Sequence, residues 1–347
     1  MGGRPSSYRD RRSYQGTAEG CGHDVEGREM KLTYAEAINR AIREEMRKDP
    51  TVFCIGEDIG IYRNRSGQNR VCKGLLDEFS EERIIETPIA ESSILGSAVG
   101  AAMFGMRPIA EVMIGDFIIT AGEHLIYGGC RGAAHNGGLK FPLIVMAPYG
   151  GDREGEPAQQ ECVEPVYAST PGLKIVMPSN AEDAYGLMKS SIRDDYPVLF
   201  LMHNVMLHGE QIPYEIPDGE YYTPLGKASV KKEGSGVTVV AWGNMANRAL
   251  DAANELEKEN ISAEVIDLRT ILPLDIEAVM ASANKTGKVL IVHESRKIAG
   301  FGAEVMAQVA EAAGDKKIII ERLAGPDIHA NVPPRTEAIM DRIRKMA

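Results

Sequence analysis

Short apolar runs alternate with segments of helical period along nearly the whole chain, and this alternation restricts the fold more than any other feature. "VFCIGED", "RPIAEVM", "PLIVMAPYG", "LKIVMPS" and "PVLFLM" read as buried strands. Before and between them lie "KLTYAEAINRAIREEMRKDP", "SILGSAVGAAMFG", "DFIITAGEHLIYGGCRGAAH" and "NAEDAYGLMKSSIRDD". In the first of these, Ala35, Ile38, Ala41, Ile42 and Met46 share one helical face and Pro50 closes it. Each of the other three is expected to be a single helix. Strands that are apolar on both faces must be covered on both faces, so the expected fold is α/β with a parallel sheet.

"HGEQIPYEIPDGEYYTPLG" carries three prolines and no helical period, and reads as a linker. A second α/β set follows: "GVTVVAWGN", "MANRALDAANELEKEN", "SAEVIDLRT", "DIEAVMASANKT", "KVLIVHES", "FGAEVMAQVAEAAG" and "KIIIERLAG". The expected division is a polar arm at 1–29, a first domain at 30–213, a linker at 214–222 and a smaller domain at 223–347. A chain of 347 residues is long for one ordinary core, which agrees with two domains.

A net charge of -11 argues against a nucleic-acid or anionic-membrane surface. No run of about twenty apolar residues offers a membrane span. The five cysteines are scattered with no CxxC pair, which reads as reduced and cytoplasmic and not as a zinc site or a disulfide frame. The arm lacks an apolar core, so it is not a signal peptide.

Open α/β sheets bind ligands at the carboxyl ends of their strands. "ETPIAES" is such an end, with Glu91 where the next helix begins. By itself Glu91 could equally be a first-turn acid favoured by the helix dipole. His203 and His208 follow a strand end and could reach the same pocket. His124 and His135 read as structural, His293 and Glu294 as structural or interfacial, and no histidine pair has metal spacing. The glycines of "GSAVGAAMFG" miss the GxGxxG spacing of a dinucleotide loop. Carbonyls near "PSNAEDA" could hold a structural monovalent cation.

"GEDIG", "TPIAE", "RPIAEVMIGDF", "PGLKIVMPS", "PLGKASV", "DLRTILPLD" and "VHE" with "GFGAE" occur in one order. Together they resemble the beta subunit of the thiamine-diphosphate-dependent decarboxylase component of 2-oxoacid dehydrogenase complexes, from about Met30 to the C-terminus. The resemblance implies a pyrimidine-binding domain followed by a transketolase C-terminal-type domain. It implies that Glu91 holds the cofactor's aminopyrimidine ring from a buried pocket, with Phe117 stacked on that ring and Ile89 beside it. An acid on the pyrimidine nitrogen favours the imino form of the ring, which can take the proton from the thiazolium carbon.

The resemblance also implies what must come from elsewhere. The family's metal and diphosphate anchor is a GDG…NN segment. "GDR" at 151–153 and "GDF" at 115–117 are the nearest matches here, and no NN dipeptide occurs. An alpha subunit is therefore expected to supply the diphosphate and Mg2+ site, in an assembly of two alpha and two beta chains, with no metal ligand on this chain. A lipoyl or acyl carrier protein is the expected acceptor.

Three segments depart from the family pattern. Gln159 stands where the family has a histidine, and glutamine cannot shuttle a proton near neutral pH. Gln68 and Asn69 replace a Val-Phe pair, and Met202 precedes His203 after the "PV" strand. These changes point to an altered pocket, with Gln159 and His203 as catalytic candidates and Gln68 and Asn69 facing the donor. The main reading is a subunit that cleaves a 2-oxo acid or α-hydroxyketone and passes on the acyl unit. The alternatives are a transketolase-like two-carbon transferase and a catalytically silent assembly subunit.

Overall fold

The computed structural model describes residues 30–60, 67–132, 140–151, 160–209, 213–328 and 332–347. The expected polar arm, His135 and Gln159 fall outside these.

The chain enters through β1 (Met30–Leu32) and α1 (Tyr34–Lys48). A capping box starts α1: Glu36 N–H donates to Thr33 Oγ1 at 3.3 Å, and Thr33 N–H donates to Glu36 Oε2 at 2.9 Å. Its buried face carries the predicted Ala35, Ile38, Ala41, Ile42 and Met46. β2 (Val52–Glu57), the short helix α2 (Leu75–Phe79), β3 (Ile84–Thr87), α3 (Glu91–Met103) and β4 (Arg107–Glu111) follow. Next come β5 (Ile144–Tyr149), α4 (Glu164–Tyr167), β6 (Lys174–Val176), α5 (Ala181–Arg193), β7 (Val198–His203) and α6 (Asn204–His208).

The predicted helix from Asp116 onward is not one α-helix. Gly115–Ala121 winds as a 3₁₀ helix and His124–Arg131 as a π-helix. Gly122 lies at the break and Gly128 and Gly129 lie inside the π segment, where missing side chains weaken the α preference. Both segments pack on α3.

β8 (Tyr214–Ile216) forms within the predicted linker and pairs antiparallel with β1. The second domain holds β9 (Ser229–Lys232), β10 (Val237–Ala241), α7 (Asn244–Glu257), β11 (Ala263–Asp267) and β12 (Thr270–Leu272). It ends with α8 (Ile276–Thr286), β13 (Lys288–Arg296), α9 (Gly302–Ala313), β14 (Ile319–Gly325) and α10 (Thr336–Met346).

The first sheet runs β12-β6-β7-β5-β4-β2-β3, and the second β14-β13-β10-β11-β9. All neighbours in the first sheet are parallel except β12, which belongs to the second domain and pairs antiparallel with β6. The domains thus share a sheet edge. Polar bonds fasten it: Arg269 Nη1 donates to Asp183 Oδ1 at 2.9 Å, and Lys231 Nζ lies 2.7 Å from Asp183 Oδ2. One core cluster runs under both domains, from Phe53 and Leu95 through Tyr149 to Trp242 and Phe301.

The contact of α1 with α5 is partly ionic. Lys189 Nζ, fully buried, lies 2.8 Å from Glu44 Oε2, 3.3 Å from Glu45 Oε1 and 2.8 Å from Glu220 Oε1. Burial alone would lower the Lys189 pKa, but hydrogen bonds to Glu220 and Glu44 outweigh it and hold the ammonium above the ordinary lysine range.

Candidate functional site

Three adjacent strand ends carry the acids. In register, Gly56 faces Glu86 on one side and Glu111 on the other, and Glu57 faces Thr87. Successive residues of a strand point to opposite faces, so these side chains sort into two groups. Glu57 and Thr87 lie on the face that packs against α3, in line with Ile55. Glu86 and Glu111 lie on the opposite face, in line with Cys54 and Ile109. Gly56 permits this crowding, because a Cβ there would stand 2.6 Å from Glu111 O.

On the α3 face, Glu91 is the first residue of the helix, so its carboxylate stands at the positive end of the dipole. Beneath it, Glu57 Oε2 and Thr87 Oγ1 are buried and have no hydrogen-bond partner among the described residues. Burial, and then the charge of Glu91, push the Glu57 carboxyl above its ordinary range. Orphaned buried oxygens mark sites that expect a further group. The Phe117 segment is tied to the same helix end: Ser92 Oγ donates to Thr120 O and Thr120 Oγ1 to Phe117 O, both at 2.8 Å. Gly115 fixes its start, since a Cβ there would meet Pro148 O at 2.2 Å. Tertiary structure therefore brings Glu91 and Phe117, far apart in sequence, onto one edge of the sheet.

In the single chain that edge is open. Glu91 and Phe117 are half-buried and Ile89 is 77% exposed. Further exposed apolar side chains line α3 and its neighbours, among them Phe104 at 92%, Met103 at 63%, Tyr127 at 63% and Ile119 at 60%. A single chain leaves this side uncovered.

On the other face, Glu111 is buried within reach of two donors, Asn69 Nδ2 at 2.8 Å from Oε1 and Cys72 Sγ at 3.6 Å from Oε2. Burial raises its pKa to about 7, against the effect of those bonds. Asn69 is thus buried with its Nδ2 bonded to Glu111 and its Oδ1 without a partner among the described residues, and Gln68 beside it is half-buried.

His203 is 1% exposed. Val205 N–H donates to its Nδ1 at 3.2 Å, which leaves the proton on Nε2, 2.7 Å from Glu294 Oε2. Glu294 Oε1 in turn accepts from Gly151 N–H at 2.7 Å. Both ring nitrogens are therefore engaged, Nδ1 within the first domain and Nε2 across the domain seam. Glu164, buried nearby, has its pKa raised to about 7 by burial. His293 stacks on Trp242 with ring centroids 5.5 Å apart, and burial lowers its pKa to about 4. His124 packs against Gly96 on the flank of α3. Asp116, Glu161 and Arg296 form a further polar link between the domains that sequence reasoning missed. Only the "GDF" match hinted at Asp116.

The pyrimidine end of thiamine diphosphate fits this edge: an acid at a helix N-terminus, orphaned oxygens beneath it and an aromatic beside it. Among the described residues, no group of three His, Cys, Asp or Glu side chains comes together as a metal site.

The comparisons agree with this reading of the fold. Residues 30–208 match the transketolase pyrimidine binding domain, and residues 226–340 the transketolase C-terminal domain. The chain is similar to the 2-oxoisovalerate dehydrogenase subunit beta of Bacillus subtilis (strain 168), 46% identical over 301 residues, covering 86% of this chain and 90% of the relative. It is also similar to the mitochondrial pyruvate dehydrogenase E1 component subunit beta-2 of Oryza sativa subsp. japonica, 40% identical over 302 residues, covering 86% and 79%. Among solved structures, a split gene transketolase in an inactive beta4 tetramer shares the fold with a TM-score of 0.74 at 22% identity, covering 91% of this chain and 98% of that one. No helix among the described residues is long and apolar enough to cross a membrane. The chain belongs to the family of beta subunits of the thiamine-diphosphate-dependent E1 component of 2-oxoacid dehydrogenases.

Proposed function

We propose that this chain supplies the pyrimidine-binding half of an E1 active site that is completed by an alpha subunit, in an assembly of two alpha and two beta chains. The observation that carries the proposal is the open edge at α3, where Glu91, Phe117 and exposed Ile89 face outward beside buried, unpaired oxygens of Glu57 and Thr87. Glu91 would hold the pyrimidine nitrogen and Phe117 would lie against the ring, with Ile89 at its rim. The alpha subunit would hold the diphosphate and Mg2+ and cover the apolar side chains around α3, as obligate interfaces do. The bound cofactor supplies the electron sink for cleavage beside a carbonyl. Among the described residues the cysteines Cys54, Cys72, Cys130 and Cys162 are free thiols, which suits a reducing, cytoplasmic setting.

The proposed donor is a 2-oxo acid, branched-chain or pyruvate, with a lipoyl carrier as acceptor. The Asn69 amide nitrogen is held by Glu111 and is not offered to a hydroxylated donor. The test is to reconstitute the chain with its alpha partner and assay 2-oxoisovalerate, pyruvate and a hydroxyketone with lipoyl acceptor. Calorimetry on each subunit alone should accompany it. We expect cofactor binding only in the assembly and turnover of a 2-oxo acid. Tight, magnesium-dependent cofactor binding by the isolated chain, or turnover of the hydroxyketone alone, overturns the proposal.

A further inference from the structure

Between the cofactor edge and the second domain, four residues form one continuous link. Arg296, the last residue of β13, grips the Glu161 carboxylate with both arms of its guanidinium: Nη1 lies 2.7 Å from Oε2 and Nη2 2.6 Å from Oε1. Its Nε donates to Ile328 O at 2.9 Å, so the guanidinium is itself held by the second domain. Glu161 N–H donates to Asp116 Oδ1 at 3.1 Å. Asp116 immediately precedes Phe117 in the 3₁₀ segment.

We propose that Arg296, acting through Glu161 and Asp116, is a positioning residue that sets where Phe117 stands over the cofactor site. The inference rests on the reading of Phe117 as the aromatic against the cofactor ring. Three constraints converge on that short segment. Gly115 is jammed against Pro148, Thr120 is tied to Ser92 at the start of α3, and Asp116 is tied to Glu161. The first two come from within the first domain. The third reaches the second domain, and gives that domain a part in the geometry of a site it does not line.

The Arg296–Glu161 pair is an unpromising source of stability, because its side chains are 41% and 29% exposed and solvent screens them. Its value is directional. A planar fork on a carboxylate fixes both distance and orientation, whereas a lysine would offer a point charge with neither.

The test uses the assembled alpha and beta subunits. Thiamine diphosphate affinity with magnesium is measured by calorimetry, and thermal unfolding is followed without cofactor. For Arg296→Ala we expect affinity to fall roughly ten-fold, as displaced positioning groups do. Arg296→Lys and the milder Glu161→Gln should lose roughly three-fold, and the cofactor-free melting temperature should hardly move. Phe117→Ala should weaken binding, and adding Arg296→Ala to it should weaken binding no further, since residues acting through one another do not add. Unchanged affinity in Arg296→Ala while Phe117→Ala weakens binding overturns the proposal. So do fully additive losses, or a fall in melting temperature with affinity intact. Unchanged affinity in Phe117→Ala removes the underlying reading of Phe117, and the proposal with it.

Discussion

His203 Nε2 lies 2.7 Å from Glu294 Oε2, joining the last residue of a first-domain strand to a strand of the second domain in a contact closed to solvent. Because Val205 N–H occupies Nδ1, the imidazole has no nitrogen left for a substrate. Glu294→Gln should keep the packing but weaken this bond and that to Gly151, costing about 2–4 kcal/mol of stability. Denaturant unfolding measures it. His203→Gln should destabilise similarly and leave the pH dependence of turnover unchanged. A lost limb in the pH–rate profile would return His203 to the chemistry.

Glu91→Gln should slow proton exchange at the thiazolium carbon of the bound cofactor by roughly 10²-fold or more, because a neutral amide cannot serve as the acid at the pyrimidine nitrogen. The half-exposed position of Glu91 means the fold should tolerate the change, with melting of the isolated subunit shifted little. Deuterium exchange in the reconstituted enzyme is the measurement. Wild-type exchange in the variant ends the assignment.

Glu111 should make the protein less stable as pH rises. Its folded pKa of about 7 stands above the ordinary glutamate value of 4.5, so between those values the native state binds the extra proton. Stability is therefore fullest below pH 4.5 as far as this group is concerned, and falls until pH passes 7. The full penalty is about 3 kcal/mol as an order of magnitude. Glu164, also raised to about 7, acts in the same direction. Glu111→Gln keeps an acceptor for Asn69 and should be more stable than wild type at pH 8, with a shallower slope between pH 5 and 7. Equal slopes in urea titrations of the two proteins would contradict this.

Lys189→Met removes the buried lysine that touches Glu44, Glu45 and Glu220 together, and leaves fully buried Glu45 with only the more distant Lys48, 3.9 Å from its Oε1, on the lysine side. Arg193 remains on Glu45, so the carboxylate is not stranded altogether. The expected loss is about 3 kcal/mol, read from the unfolding midpoint. Lys189→Arg should recover only part of it, since the larger guanidinium must fit a fully buried site.

Much of the architecture is written in local pattern. A capped helix such as Thr33–Lys48, or a strand such as Val198–His203 that is buried on both faces, needs no partner to be recognised, because its period and its end signals lie within a few residues. The alternation of such elements dictated a parallel sheet, and the order of short motifs led to the family. The 3₁₀ and π windings after Gly115 were not legible, because their shape follows from close approach to β5 and α3 and not from local preference. The strand Thr270–Leu272 joined the sheet of the other domain for the same reason: edge hydrogen bonds are satisfied wherever a partner stands.

The site divides in the same way. The order of motifs, through the family they resemble, named Glu91 and Phe117, and named Asn69 and His203 as polar residues where the family pattern led one to look. It could not tell which way their side chains turn. In a strand the face is set by register, and in a loop by whichever donor or acceptor the fold brings within 3 Å. Tertiary structure gave the Asn69 amide nitrogen to Glu111, His203 Nδ1 to the adjoining turn and Nε2 to the domain seam, and placed Arg296 where it can act on Phe117 through two intermediaries. Glu91 alone sits at the chain's open edge for a reason the sequence already held: a helix that begins at a strand's carboxyl end must present its first residue there.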